Sequence, residues 1–343
     1  MDRDFFSKTQ CAFDWKHLFC FWWIILSVLL ITSCTLLYPR VKFSQAFPEF
    51  VAVIAQPGDT FASLASEYLQ DSSMGWFIAE FNEISTLSPG QGLIIPLQGY
   101  EKGGVTLKGY QTVPVLSYHK FSKNKTDMMT VTEEALEEQM RFLKENGYRV
   151  ITMDQLFDFL DYKTQIPRKS VVITIDDGWR STYDIAFPIL RKYGYVATLF
   201  VYTDLITGSD KTLDWDLIRE MAKSGIDIQC HTKTHRNLNR KGKQESFRDY
   251  FDAVKKELTD SAAIIERHLK TDVQYLAYPY GDTNHIVVAL LEKLGYRGAF
   301  TVERGSNPFF VHHYRMNRSM VYGDFSIQDF ENNLTVFCNE TLQ

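Results

Sequence analysis

The sequence predicts an α/β protein. Its main part is a (β/α) barrel, distorted or seven-stranded, preceded by a small α+β unit and an N-terminal membrane segment. Apolar segments alternate with amphipathic ones over about 230 residues from Val113 onward, which is typical of parallel strands with crossover helices. Before them, about 50 residues follow the pattern strand, helix, helix, strand. Residues 18–37 are an uncharged apolar run of 20, long enough to cross a bilayer.

Composition excludes several classes of protein. Of the 343 residues, 45% are hydrophobic and 23% charged, which excludes a disordered or collagen-like chain. Asp and Glu number 42 against 37 Lys and Arg, so the net charge of −5 leaves no basic surface for nucleic acid. The 5 cysteines form no disulfide framework. Only Cys230 and Cys338 follow the N-terminal segment, and sequence leaves their pairing open.

Residues 1–37 predict a signal or membrane-anchor segment. A single N-terminal apolar run before a long soluble chain favours export of that chain. Residues 30–34, Leu-Ile-Thr-Ser-Cys, resemble a bacterial lipoprotein box and make Cys34 a candidate for lipidation. A lipidated Cys34 and an uncleaved anchor remain alternatives. Either would tether the protein to a membrane of the cell envelope, with the rest in the periplasm or at the cell surface.

Residues 50–98 predict a small domain with a strand at residues 51–54, helices after Thr60 and at residues 76–81, and a strand at residues 93–96. Pro-Gly-Asp-Thr at its front and Pro-Gly-Gln-x-Leu-x-Ile-Pro at its back resemble a LysM domain. That family binds N-acetylglucosamine-containing glycans, although the same residues shape turns in any small α+β unit. Residues 99–109 contain four glycines and predict a linker to the barrel at residues 110–343.

The barrel pattern can be divided into elements. Predicted strands cover residues 113–119, 148–152, 170–176, 196–203, 226–231, 273–280 and 296–302. Predicted helices cover residues 130–146, 183–193, 217–223, 247–269 and 286–294. Thr130 and Glu133 predict a capping box at the first helix. Chemistry in such barrels lies at the C-terminal ends of the strands, and three predicted strands end in polar clusters.

The first two clusters offer metal ligands. Asp176 and Asp177 end an apolar strand, and adjacent residues of a strand point to opposite sides. His231 and His235 begin at the end of another strand. Their four-residue spacing suits joint coordination of one metal. One carboxylate with two imidazoles would leave coordination positions open for water and substrate.

The third cluster is Tyr278-Pro279-Tyr280-Gly281. The proline fixes the backbone and the glycine permits a tight turn, so a main-chain N–H near Tyr280 can point into a site. The same turn would also suit a packed corner of the fold. Its position after the other two clusters is what suggests a function.

In this order on a (β/α) pattern, the three clusters resemble the motifs of NodB-type polysaccharide deacetylases, carbohydrate esterase family 4. The resemblance implies metal-dependent hydrolysis of N-acetyl groups from an N-acetylglucosamine polysaccharide, either peptidoglycan or poly-N-acetylglucosamine, with release of acetate. It implies Asp176 as general base, a divalent metal, usually zinc, on Asp177, His231 and His235, and the Tyr280 amide at the oxyanion. Expected sugar contacts are Tyr278, Pro279 and Trp215.

Two departures from the family leave alternatives open. Ala277 occupies the place where the family often has an arginine that orients the base, and its candidate replacements are Arg180, Arg315 and Arg318. The family's general-acid histidine is unmatched, and the remaining candidates are His119, His312 and His313. A non-catalytic glycan-binding protein of the cell envelope, with a degenerate barrel, is therefore the alternative function, and hydrolysis of a different amide is a third. Strand alternation predicts that Cys230 is buried rather than a ligand.

Overall fold

The structure is a computed structural model that describes residues 44–97, 102–106 and 108–340. The chain forms two compact units, of which the first ends at Leu97 and the second begins at Gln98. The predicted membrane segment at residues 1–37, with Cys34, lies outside the described residues. In the part of the chain that is described, no helix combines the length and apolar character needed to cross a membrane.

The first unit is a three-stranded antiparallel sheet with two helices. Its elements are β1 (Ser44–Ala46), β2 (Phe50–Ile54), α1 (Phe61–Leu69), α2 (Gly75–Phe81) and β3 (Gly92–Pro96). β2 is the central strand. Thr60 Oγ1 caps α1 by accepting from the Ser63 N–H. The predicted order of strand, helix, helix and strand is confirmed, and β1 was missed because its three exposed residues carry no apolar pattern.

The second unit contains the barrel. Its strands are β4 (Val105–Thr106), β5 (Gly109–Tyr118), β6 (Lys120–Ser122), β7 (Thr130–Thr132), β8 (Arg149–Val150), β9 (Ser170–Asp177), β10 (Ala197–Val201), β11 (Ile226–Cys230), β12 (Tyr275–Ala277), β13 (Gly298–Phe300), β14 (Ser306–Pro308), β15 (Ser319–Met320) and β16 (Phe337–Asn339). Its helices are α3 (Glu133–Glu145), α4 (Met153–Leu160), α5 (Phe187–Tyr193), α6 (Trp215–Lys223), α7 (Phe247–Leu269), α8 (His285–Leu294) and α9 (Ile327–Glu331).

The barrel wall is parallel. Its strands follow the order β13-β12-β11-β10-β9-β5, and each neighbouring pair is parallel. Residues 316–320 lie between the two ends of this order. Met316 forms a parallel bridge to Phe300 of β13, and β15 pairs in parallel with β5. The curled parallel sheet confirms the predicted (β/α) pattern in part, and residues 316–320 connect its two ends only through these short pairings.

Strand alternation separates two apolar layers. Side chains such as Val172, Phe200 and Phe300 form a cluster inside the barrel, whereas their neighbours along each strand pack under the helices. α4 closes one end of the barrel, because Phe157 packs on Tyr275 at a ring-centroid distance of 4.8 Å. Gly298 is required there, since a Cβ would lie 2.1 Å from the Phe157 ring. The candidate site residues that end β9 and follow β11 and β12 lie at the opposite end.

Several element boundaries differ from the predictions, those of α3 and α5 among them. Thr132, not Thr130, caps α3, with its Oγ1 accepting from the Ala135 N–H at 3.1 Å. Thr130 pairs with Lys120 as part of β7, and this extended backbone moves the helix start by two residues. The predicted helix at residues 183–193 is divided, with a π-helical segment, Thr182–Ala186, before α5.

The predicted linker at residues 99–109 is wrong in part. β4 lies within it and pairs antiparallel with the first residues of β5, which begins at Gly109. Gly109 has a φ of 144°, and a Cβ there would lie 1.9 Å from the carbonyl oxygen of Cys338 in β16. Some of the glycines that suggested a flexible linker therefore allow close backbone approach within a sheet.

Candidate active site

Polar side chains from β9, β11 and β12 meet at the C-terminal end of the barrel. Asp176 and Asp177 end β9, His231 and His235 follow β11, and Tyr280 follows β12. These strands are parallel and separated from their neighbours by at most one strand, so their carboxyl ends lie at one edge. The structure thus brings together five residues that the three sequence clusters identified.

Asp177, His231 and His235 form a compact group. Oδ1 of Asp177 lies 3.7 Å from Nε2 of each imidazole. One ligand atom from each residue lies within 4.8 Å of the other two. A tetrahedral cation about 2.1 Å from each ligand atom would hold those atoms about 3.4 Å apart, so the observed spacing fits a shared ion.

A hydrogen bond orients the side chain of His231, and another orients that of Asp177. His231 Nδ1 lies 2.7 Å from the carbonyl oxygen of Ala277, which can only accept, so Nε2 keeps its lone pair. The Trp179 indole N–H donates to Oδ2 of Asp177 at 2.7 Å and leaves Oδ1 facing the imidazoles. Both contacts orient free ligand atoms towards one point.

Asp176 forms a buried ion pair with Arg318. Nη1 lies 2.7 Å from Oδ1 and Nη2 lies 2.8 Å from Oδ2. Arg318 also donates from Nε to the carbonyl oxygen of Thr301. Burial alone would raise the pKa of Asp176, but Arg318, followed by His231 and His119, outweighs burial and lowers that pKa to about 2. The carboxylate is therefore ionised at neutral pH.

Of the three candidate arginines, Arg318 is the one that contacts Asp176. It belongs to residues 316–320, which lie between β13 and β5 in the barrel wall. In the chain, Arg318 follows Asp176 by 142 residues. Arg180 pairs instead with Asp184, where both side chains are partly exposed. Arg315 is exposed.

His119 is a third histidine at the site. It follows β5, and its Nε2 lies 3.9 Å from Oδ2 of Asp176. Burial lowers the pKa of His119, against the attraction of the two nearby carboxylates. Of the other two candidates, His312 is exposed and His313 packs on Phe157, at the end of the barrel that α4 closes.

Tyr280 lies at the exposed side of the site. Its side chain is 64% exposed, and its ring lies 4.8 Å from that of His235. Four non-glycine residues of the motifs have a left-handed backbone: Asp177 (φ 81°), Thr232 (69°), His235 (64°) and Tyr280 (63°). Such conformations cost about 1–3 kcal/mol each and concentrate at functional sites.

The three side chains expected to contact the sugar pack against other parts of the protein. Tyr278 is 1% exposed and donates to the carbonyl oxygen of Tyr314, while Pro279 is also buried, so the prediction for these two side chains is wrong. Tyr278 lies two residues after Leu276, so both side chains point to the same side of the strand, towards the helices. Trp215 stacks on His268, with ring centroids 4.2 Å apart, and this contact joins α6 to α7.

Two further side chains at the site were not predicted. Trp179 contacts Asp177, and the ammonium of Lys120 lies 4.0 Å from the centre of the indole ring. Glu257 of α7 accepts hydrogen bonds from the turn between the two histidines. Trp179 could have been noticed two residues after the paired carboxylates, but nothing local distinguishes Glu257 from the other acids of its helix.

Cys230 is buried behind the site, as predicted. Its sulfur lies 2.9 Å from Oγ of Ser261 on α7. Burial raises the pKa of the Cys230 thiol. Cys230 and Cys338 are both free thiols, which answers the question of a bridge between them.

Comparison with known proteins gives the family of this site. The family model described as polysaccharide deacetylase matches residues 163–299, a range that contains all three motifs. The chain carries a polysaccharide deacetylase domain. The resemblance to NodB-type deacetylases is thereby confirmed for this domain, whereas the LysM resemblance of residues 50–98 stays a prediction.

Two curated relatives match the deacetylase domain. YxkH of Bacillus subtilis, provisionally named a polysaccharide deacetylase, is 31% identical over 194 residues, which are 57% of this chain and 66% of that protein. The poly-beta-1,6-N-acetyl-D-glucosamine N-deacetylase of Staphylococcus aureus strain MRSA252 is 28% identical over 193 residues, 53% of this chain and 66% of that protein. The chain therefore spans just under two thirds of the length of these relatives.

Solved structures share the fold of the deacetylase domain. The Streptococcus pyogenes deacetylase PplD, solved in complex with acetate, matches with a TM-score of 0.59 and 24% identity over 65% of this chain and 98% of that chain. A polysaccharide deacetylase from Bacillus cereus matches with a TM-score of 0.54 and 25% identity over 72% of each chain. These likenesses agree with the barrel described above.

Proposed function

We propose that the deacetylase domain hydrolyses N-acetyl groups of an N-acetylglucosamine polysaccharide and releases acetate. The observation that carries the proposal is the convergence of Asp177, His231 and His235 within 4.8 Å, beside the ion pair of Asp176 and Arg318. A buried carboxylate next to a possible cation site is the arrangement that metal-assisted hydrolysis requires.

The proposed substrate is poly-β-1,6-N-acetylglucosamine, with peptidoglycan as the second candidate. The Staphylococcus aureus relative carries the name of the first polymer and is 28% identical over the deacetylase region. The exposed ring of Tyr280, beside His235, offers a surface at the mouth of the site for a sugar.

The proposed cofactor is a divalent cation, and zinc is the first candidate. Two imidazole nitrogens and one carboxylate oxygen are a ligand set that zinc takes in catalytic sites with an open position. A divalent cation bound there would polarise the amide carbonyl and lower the pKa of coordinated water towards about 7. The hydrogen bonds from His231 to Ala277 and from Trp179 to Asp177 keep the ligand atoms directed at that position.

The remaining residues take separate proposed roles. Asp176 accepts a proton as the water oxygen bonds to the carbonyl carbon, and Arg318 keeps that carboxylate in place. The main-chain N–H of Tyr280 donates to the oxyanion, a contribution of about 2.7–4 kcal/mol where one such donor has been removed from other enzymes. His119, whose Nε2 lies 3.9 Å from Oδ2 of Asp176, takes up the proton that Asp176 accepted and gives it to the amide nitrogen as the carbon–nitrogen bond breaks. Acetate and a free amine on the sugar are the products.

The alternative of a non-catalytic glycan-binding protein arose from Ala277 and from the unmatched general acid. The guanidinium of Arg318 contacts Asp176, and His119 lies 3.9 Å from the same carboxylate. Both contacts support a working enzyme. Arg318 would replace the arginine that is absent at Ala277, and His119 would replace the family's general-acid histidine.

We also propose a role for the rest of the chain. The LysM-like domain predicted at residues 50–98 would bind the glycan as LysM domains do, and residues 1–37 would tether the protein to a membrane with the barrel outside the cytoplasm. Deleting residues 51–97 should weaken binding to long polymers and leave turnover of short oligomers unchanged. Equal loss on both would contradict the glycan-binding role.

Acetate release tests the proposed enzyme. The purified full chain with zinc or cobalt should release acetate from N-acetylglucosamine oligomers, and Asp176→Asn should abolish release while retaining the cation. Asp184→Asn is a matched control, because Asp184 pairs with Arg180 at the surface. Binding of oligomers without acetate release by the wild type, under any divalent cation, would favour the non-catalytic alternative.

A further inference from the structure

A buried carboxylate on α7 holds the turn that carries both imidazoles. Glu257 is only 8% exposed. Its Oε2 accepts hydrogen bonds from the N–H groups of Lys233 and Thr234, both at 2.9 Å, and its Oε1 accepts from the Thr234 hydroxyl at 2.7 Å. Three donors from two consecutive residues therefore converge on one side chain.

The backbone of this turn requires external support. Thr232 and His235 are non-glycine residues with φ angles of 69° and 64°, a conformation that costs about 1–3 kcal/mol per residue. A hydrogen bond from the His235 N–H to Thr232 Oγ1 is internal to the turn and does not fix its position in the barrel. Glu257 connects the turn to α7, a 23-residue helix that is rigid enough to fix the position of the turn.

The turn has a second support on its other edge. Thr203 and Asp204, just after β10, donate from their N–H groups to the carbonyl oxygens of Thr232 and Lys233. The Lys233 ammonium lies 2.9 Å and 3.0 Å from the two carboxylate oxygens of Asp204. The lysine charge is thus paired with Asp204, and the hydrogen bonds that the Glu257 carboxylate accepts come from the N–H groups of Lys233 and Thr234 and from the Thr234 hydroxyl.

We propose that Glu257 is a positioning residue for the cation site. It sets the turn so that Nε2 of His231 and Nε2 of His235 both face Asp177, and it touches neither the cation nor the substrate. The inference rests on the cation site of the proposed function. Hydrogen-bond partners that orient metal ligands typically change metal affinity by about 10–100-fold.

The test is a direct measurement of cation affinity on the purified full chain. Zinc titration against a chelating dye should show about 10–100-fold weaker binding in Glu257→Gln than in the wild type. The visible absorption spectrum of the cobalt-loaded protein should also change, because it reports the geometry of the ligands. Asp252→Asn is the matched control, since it removes one negative charge from an exposed position of the same helix.

A variant with a shorter side chain distinguishes the effect of the carboxylate's position on cation affinity from the effect of its charge. Glu257→Asp keeps the negative charge but cannot reach the turn, so it should lose affinity as Glu257→Gln does. Wild-type affinity in Glu257→Asp together with weak binding in Glu257→Gln would overturn the positioning role in favour of a charge effect. Equal affinity in the wild type and Glu257→Gln would also overturn it.

Thr234, the exposed hydrogen-bond partner of Glu257, provides a second variant if Glu257→Gln fails to fold. Thr234→Val removes one of the three donors at an exposed residue and should weaken zinc binding several-fold without lowering the melting temperature. Unchanged affinity in Thr234→Val would overturn the inference. Failure of the wild type to bind any divalent cation would overturn the proposed function and this inference with it.

Discussion

Arg318 and Asp176 form a bidentate ion pair, and their side chains are 0% and 2% exposed, respectively. Loss of one partner leaves the other charge buried and unpaired. We therefore expect Arg318→Ala to lower the free energy of unfolding by about 3–5 kcal/mol, measured by urea denaturation. The double variant Arg318→Met with Asp176→Asn removes both charges and should recover much of that loss.

A surface pair provides the control for this prediction. Arg248 and Asp252 lie 3.9 Å apart on α7 with side chains 90% and 66% exposed. Arg248→Ala should change the unfolding free energy by about 0–1 kcal/mol, because water screens exposed pairs. An Arg318→Ala variant as stable as Arg248→Ala would contradict the importance of the buried pair.

Cation binding and proton transfer are expected to separate by mutation. His231→Ala removes a ligand atom and should eliminate the bound cation, whereas Asp176→Asn should retain it and lose acetate release. Metal content after dialysis, measured by mass spectrometry, distinguishes the two variants. His285→Ala, at an exposed histidine that begins α8, should behave as the wild type. Full metal content in His231→Ala would contradict the assigned ligands.

The general acid is tested by comparing two histidines. His119→Gln should lower kcat by about 10²–10⁴-fold and leave zinc affinity within a few-fold of the wild type, because the side chain lies beside Asp176 and outside the ligand group. His312→Gln, at an exposed residue, should leave kcat unchanged. Equal kcat values in the His119→Gln variant and the wild type would exclude His119 as the acid.

Trp179 is expected to tune the cation site through Asp177. Trp179→Phe keeps an aromatic ring under Lys120 and removes the indole N–H, so zinc affinity should fall by about 10–100-fold. Trp215→Phe is the control, since that ring stacks on His268 between two helices. Isothermal titration with zinc measures both variants, and matching affinities would show that the indole hydrogen bond is dispensable.

The sequence predicted the part of the site that depends on local pattern. Apolar runs mark the strands, and their polar ends locate Asp177, His231 and His235 without knowledge of the tertiary structure. The same alternation, continued past Ala277, would have placed Tyr278 in the core. Thr130 was mistaken for a helix cap because the pairing of β6 with β7 is not visible in either segment alone.

The rest of the site depends on contacts between distant segments. Arg318 was one of three candidates, and the choice requires knowing that residues 316–320 lie between β13 and β5. Glu257 lies on an amphipathic helix with several other acids, and its role follows from which of them faces the turn after β11. Such residues become visible only once the strands are assembled.

The most direct test of the cation site is an anomalous difference map from crystals of the zinc-loaded protein. The account predicts one strong peak about 2.0–2.2 Å from Asp177 Oδ1, His231 Nε2 and His235 Nε2. A peak bound by other residues, or no peak at these three atoms with zinc in excess, would contradict it.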